Sequence, residues 1–155
     1  MKALLAVLLA AACARPADKV VRDMPDVRLE TAAGAAAPSL ASCATDKCLT
    51  VLVAPWCGVC RAEAPNIGQF RRWLKARGVD SRVVVGLSDD RAAEVAFAAR
   101  FGPDSLIDPA GALASRETPL FLVSDRHGRI LRVIEGFPSH TRGPEDFARL
   151  LGLIS

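Results

Sequence analysis

Leu49-Thr-Val-Leu-Val-Ala-Pro-Trp-Cys-Gly-Val-Cys60 is the stretch around which the rest of the chain is organised. Its first half, Leu49 to Ala54, is almost continuously apolar, rich in β-branched residues and bounded by polar residues and a proline, the pattern of a strand buried on both faces. From Gly58 onward the spacing turns helical, with Ile67, Phe70 and Leu74 at i, i+3 and i+7 and Gly78 where a C-terminal cap belongs. Strand therefore gives way to helix at the two cysteines. Pro65 lies inside the helix, where it removes a backbone donor and predicts a kink.

Outward from this centre, Arg82 to Leu87 (RVVVGL) reads as a second buried strand. Ser88, Asp89 and Asp90 offer N-caps for a helix running to about Phe101, closed by Gly102-Pro103. Leu120 to Ser124 and Ile130 to Glu135 read as strands joined by Asp125-Arg-His-Gly128, a loop of hairpin length. Pro144 at a first-turn position, with Phe147, Leu150 and Leu151 on one face, predicts a C-terminal helix. Val27 and Leu29 alternate with polar residues, as in a short half-buried strand before a turn at Gly34. This order implies one α/β domain over residues 26–155, with a central mixed β-sheet flanked by helices on both faces.

The chain's 155 residues, 51% hydrophobic and 24% charged, suffice for one such core and leave no room for a second. Its 20 Lys and Arg against 17 Asp and Glu give a net charge of only +3, and no basic run is interleaved with aromatics, so nucleic-acid binding is set aside. Internal repeats are not apparent. At the N-terminus, Lys2 followed by the apolar run Ala3 to Ala12 reads as an export signal over residues 1–12, too short to span a bilayer. The run ending in Ala10-Ala-Ala-Cys13 is similar to a bacterial lipobox, with Ala10 where leucine is usual; the alternative is a plain secretory signal with an incidental cysteine. Residues 13–25 then form a tether between anchor and domain, which is expected in the bacterial cell envelope or periplasm, where disulfides persist.

A cysteine does redox chemistry at neutral pH only when its surroundings favour the thiolate. At the first turn of a helix, unsatisfied backbone N–H groups and the helix dipole stabilise negative charge. Together with the Cys-x-x-Cys spacing, this should bring Cys57 from a pKa of about 8.5 into the range of ~3.5–7.5. Cys60, one turn further in, stays a buried thiol until needed. Such a pair exchanges disulfides: Cys57 attacks a target disulfide and Cys60 resolves the mixed disulfide. Trp56 shields the pair and forms part of the target-binding surface.

Trp56-Cys-Gly-Val-Cys60 at a strand-to-helix junction, Pro65 after it, and Thr118-Pro119 ahead of Leu120 to Val123 together resemble the thioredoxin superfamily. That resemblance implies a cis Pro119 packed beside the disulfide, with the backbone at Thr118 pairing with bound peptide. The alternative is a trans proline opening an edge strand. Pro25-Asp-Val-Arg-Leu-Glu-Thr31, Gly34 and Glu63-Ala-Pro65 are similar to the envelope TlpA/ResA-like branch. Two departures stand out. Val51 replaces the aspartate that cytoplasmic thioredoxins bury beneath the site, and Val59 replaces the proline usual within the motif. Glu63, on the helix face of Cys60, is the candidate substitute for taking the Cys60 proton, the alternative being an ordinary surface carboxylate. Arg61, His127 and His140 are read as surface or loop residues.

Cys43 and Cys48 form a second pair. A strand between Cys48 and Cys57 separates them by roughly 25–30 Å, which disfavours both a four-cysteine zinc site and a Cys48–Cys57 bond. A local structural disulfide is preferred, with a second redox relay as the minor alternative; no metal or cofactor is called for. The leading function is a disulfide reductase or isomerase of envelope proteins, acting on protein thiols and disulfides, lipid-anchored to the membrane and recharged by a membrane dithiol donor. A copper metallochaperone holding metal through Cys57, Cys60 and a histidine is the alternative. A peroxidase is disfavoured because Ala54-Pro55-Trp56 supplies no activating threonine.

Overall fold

In the computed structural model, residues 23–113, 117–138 and 142–155 are described. The elements are β1 (Glu30–Thr31), β2 (Lys47–Val53), α1 (Gly58–Lys75), β3 (Asp80–Val85), α2 (Arg91–Ala98), β4 (Leu106–Ile107), β5 (Leu120–Asp125), β6 (Ile130–Glu135) and α3 (Pro144–Leu150). They build one six-stranded sheet in the order β1-β4-β3-β2-β5-β6. Strands β2, β3 and β4 run parallel, whereas β1, β5 and β6 join antiparallel, so the sheet is mixed. The apolar run of the central stretch becomes β2, whose residues Cys48 to Val53 are all buried between β3 and β5.

The alternation of side chains along each strand divides the interior in two. Leu49, Val51 and Val53 of β2 point to the same cluster as Ile67, Phe70 and Leu74 of α1, Phe97 and Ala98 of α2, and Phe147, Ala148 and Leu151 of α3. Leu52 of β2 and Val84 of β3 face a second cluster, closed by Met24, Leu29, Leu40 and Leu113. Among the described residues the second cluster takes no side chain from a helix, so the helices expected on both faces all pack into the first cluster, and extended and looping chain lines the second. The buried Arg71 of α1 braces the first layer, donating to the carbonyls of Phe101 (2.9 Å) and Ser81 (3.1 Å) and to Asp104 (2.6 Å).

Several boundaries differ from the sequence reading for local reasons. The paired part of the first strand is Glu30–Thr31, because β4 offers only two partners; Leu29 just before it is buried, and the turn at Gly34 (φ +82°) is present. β4 itself, two apolar residues between Ser105 and Asp108, is shorter than any periodic pattern. α2 stops at Ala98, and tighter i→i+3 bonds from Arg100 and Phe101 close it before Gly102. α1 runs on through Pro65.

Within the stretch read as tether, Met24 is buried, its N–H donates to the Gly128 carbonyl at 2.6 Å, and Asp23 bridges Arg129. Gly128 has φ +80°, and a Cβ there would lie 2.8 Å from the Ala41 Cα. Both constraints act on Gly128→Ala. The variant is expected to lose about 2–3 kcal/mol of unfolding free energy, the size of a strained backbone combined with overpacking, and urea denaturation checks it.

Candidate active site

β2 ends at Val53, and the chain turns through Ala54-Pro55-Trp56, with the Cys57 N–H donating to the Ala54 carbonyl at 3.2 Å. This turn places Cys57 at the N-cap of α1 in an extended backbone conformation. Ser, Thr, Asp or Asn usually fill that position, and here sulfur does their work: Cys57 Sγ accepts the Cys60 N–H at 3.0 Å. Cys57 and Cys60 are joined by a disulfide with Cα atoms 5.2 Å apart. No acidic residue stands in the first turn of α1. A charge on Cys57 Sγ therefore meets the positive end of the helix without a competing carboxylate. Cys60 is fully buried and Cys57 nearly so, whereas Trp56 and Val59 are 55% and 51% exposed on either side of the pair.

The opposite wall comes from the start of β5. The Thr118-Pro119 bond is cis, and the Thr118 carbonyl oxygen lies 3.3 Å from Cys57 Sγ. Thr118, separated from the cysteines by some sixty residues of chain, is thus brought to Cys57 Sγ. Val51 is fully buried in the core cluster that also contains both cysteines. Glu63 is half-buried, and its carboxylate accepts the Asn66 side-chain N–H at 2.7 Å.

Two site contacts lay outside the reach of sequence reading. Arg61, assigned there to the surface, is exposed but donates to the Pro55 carbonyl at 2.8 Å, bringing a cation over the turn that carries Cys57. Trp56 Nε1 donates to the Leu87 carbonyl at 2.6 Å, and Leu87 holds a left-handed backbone (φ +62°). Both acceptors are backbone carbonyls, which leave no side-chain signature in the sequence.

Cys43 and Cys48 are bonded to one another, with Cα atoms 5.8 Å apart. Cys48 lies at the beginning of β2, with Asp80 Oδ2 3.5 Å from its sulfur, so the length of β2 separates this disulfide from Cys57–Cys60. His127 sits in the β5–β6 turn, where its backbone N–H donates to Asp125. Cys13, the signal over residues 1–12 and His140 lie outside the described residues.

The Redoxin family pattern matches residues 19–136, and the chain belongs to that family. Solved structures share the fold. A secreted Mycobacterium tuberculosis disulfide oxidoreductase homologous to E. coli DsbE superposes with a TM-score of 0.61 at 18% identity, covering 83% of this chain and 96% of the other. A thio-disulfide isomerase from Thermus thermophilus gives 0.60 at 22%, covering 86% and 94%. The pneumococcal exposed lipoprotein thioredoxin Etrx1 from Streptococcus pneumoniae gives 0.65 at 18%, covering 84% and 100%. No curated protein matches the chain by sequence. With a thioredoxin-like fold, redoxin membership and a cysteine pair at disulfide distance on a helix N-terminus, the protein is a thiol–disulfide oxidoreductase that acts on protein thiols and disulfides.

Proposed function

We propose that the protein is a disulfide reductase of the bacterial cell envelope, with Cys57 as attacking and Cys60 as resolving cysteine. The observation that carries the choice of Cys57 as attacking cysteine is the hydrogen bond from the Cys60 N–H to Cys57 Sγ at the N-cap of α1, which favours negative charge on Cys57 once the pair is reduced; the reductase direction is what the potential below tests. In the reduced protein the Cys57 thiolate attacks one sulfur of a target disulfide and expels the other as a thiolate, which takes up a proton. Cys60 then gives up its proton and attacks Cys57, closing the Cys57–Cys60 bond and freeing the second target sulfur as a thiol. Two electrons pass to the target.

Trp56, Thr118 and Pro119 are the target-binding residues in this scheme. The exposed indole and the Thr118 carbonyl beside Cys57 Sγ support that assignment. Glu63 takes the Cys60 proton, supported by its place one turn beyond Cys60 on α1. Cys43–Cys48 is structural and braces the entry to β2.

Residues 1–12 direct export, Cys13 carries a lipid anchor, residues 13–25 tether the domain and dock on it at Met24, and a membrane dithiol donor restores the reduced pair. No helix among the described residues is long and apolar enough to cross a membrane, consistent with attachment through the N-terminus. The metallochaperone alternative is not favoured. The Cys57–Cys60 bond and redoxin membership support exchange instead.

Equilibration of the Cys57–Cys60 couple with glutathione is expected to give a potential near the reducing end of the family range, about −270 mV, while a value near −120 mV overturns the reductase assignment. In the reduced protein at pH 7, iodoacetamide is expected to modify Cys57 first, and faster than free cysteine; peptide mapping reads the site. The double variant Cys43→Ser/Cys48→Ser is expected to unfold at lower denaturant, having lost about 2 kcal/mol for a loop this short, while still reducing insulin.

A further inference from the structure

Two buried carboxyl groups that the exchange chemistry leaves unused lie beside the turn after β3. Glu94 on α2 is 2% exposed, and Asp108, just past β4, is 1% exposed. Asp108 Oδ2 accepts the Leu113 N–H at 2.7 Å, whereas Asp108 Oδ1 and Glu94 Oε1 are buried without a hydrogen-bond partner. Buried polar atoms left unpaired are costly, so native proteins keep few of them.

These two groups flank the turn that positions Trp56. Gly86 donates to the Val53 carbonyl at 3.1 Å, and a Cβ on it would stand 3.2 Å from Asp108 Cβ, so the turn rests directly on Asp108. On the other side the Ser88 backbone is near enough to the Glu94 carboxyl to favour its ionised form. Between them Leu87 adopts φ +62°, a conformation that a residue with a side chain keeps only where its surroundings impose it. In that conformation its carbonyl meets the Trp56 indole N–H at 2.6 Å.

We propose that Glu94, backed by Asp108, is a positioning residue: it holds the Gly86–Ser88 turn in the shape by which Leu87 seats Trp56 beside Cys57–Cys60, and disulfide exchange responds to its protonation. The rate readout rests on the exchange reaction proposed above; the optical readout rests on Trp56 alone.

The charged groups around Glu94 are Arg91 of α2, Asp90 at its N-cap and Asp108; Arg91 is itself paired with Glu30 of β1 at 2.9 Å. Burial raises the Glu94 pKa, Arg91 opposes the rise and Asp108 adds to it. Because the folded protein holds this proton more tightly than the unfolded chain, the stability it contributes is complete below the ordinary glutamate value. That stability is lost as pH rises through the raised one.

Trp56 and Trp73 are the two tryptophans of the chain, so Trp73→Phe leaves Trp56 as the sole emitter. In Trp73→Phe, Trp56 emission is expected to titrate with a midpoint above that of an ordinary glutamate. The insulin-reduction rate is expected to change about fivefold over the same interval, the equivalent of one hydrogen bond. Adding Glu94→Gln, which keeps the shape and removes the ionisation, abolishes the emission titration and the matching rate step. Adding Asp108→Asn instead moves the emission midpoint downward, which keeps the test open if Glu94→Gln fails to fold. Identical emission profiles with and without Glu94→Gln, or an unmoved midpoint in Asp108→Asn, overturn the proposal. A protein that titrates optically as expected but never reduces insulin refutes the exchange reading and leaves the positioning role standing.

Discussion

The structure depends on one junction, the point where β2 stops and α1 begins. A helix N-terminus presents unsatisfied N–H groups, and something must accept from them. In this chain the acceptor is sulfur, at 3.0 Å from the Cys60 nitrogen, so the atom that caps the helix is also one half of the Cys57–Cys60 disulfide. The buried strand is needed to aim it. β2 is flanked by β3 and β5, and six of its seven residues are buried, which fixes where the backbone ends and how Cys57 emerges. Val51 in the same core cluster contributes packing alone, so the polarity at the site comes from backbone, helix terminus and the residues around the rim.

The other contributors to the rim arrive from separate parts of the chain and are tied down by backbone acceptors. Thr118 and cis-Pro119 enter at the head of β5, Leu87 follows β3, and Arg61 folds back from α1 onto the Pro55 carbonyl. Carbonyls suit this role because their positions are set by the strands and turns they belong to, with no rotamer to lose. The exposed Trp56 ring is consequently held at its polar end while its apolar face stays available.

Much of this was legible before any coordinates. β2 and α1 are legible in a change of period at the cysteines, because that change is encoded in contiguous residue types, whereas the cis Thr118-Pro119 bond beside the cysteines is legible only through the resemblance to the thioredoxin superfamily. The separation of the two cysteine pairs followed from the rise of a strand. What escaped was encoded elsewhere. β4 is two residues long and becomes a strand only because β3 and β1 lie alongside it. Leu87 looks like the end of an apolar strand, and nothing in RVVVGL marks its carbonyl as the partner of an indole. Glu94 sits among alanines and a valine in an ordinary helical pattern that does not mark it as buried, yet it is. The Arg71 contacts to Phe101, Ser81 and Asp104 likewise require three segments already in place.

The docking of Met24 against Gly128 gives the domain an orientation. β5 ends opposite the first residue of β2, since Asp125 pairs with Lys47, and Gly128 lies just past that end. Cys57 lies beyond the last residue of β2, a strand of seven residues that extends about 20 Å at the usual rise. Asp23 and Met24 therefore sit at the pole remote from the sulfurs. A pull applied at Asp23 thus acts on the back of the domain, the length of β2 away from Cys57.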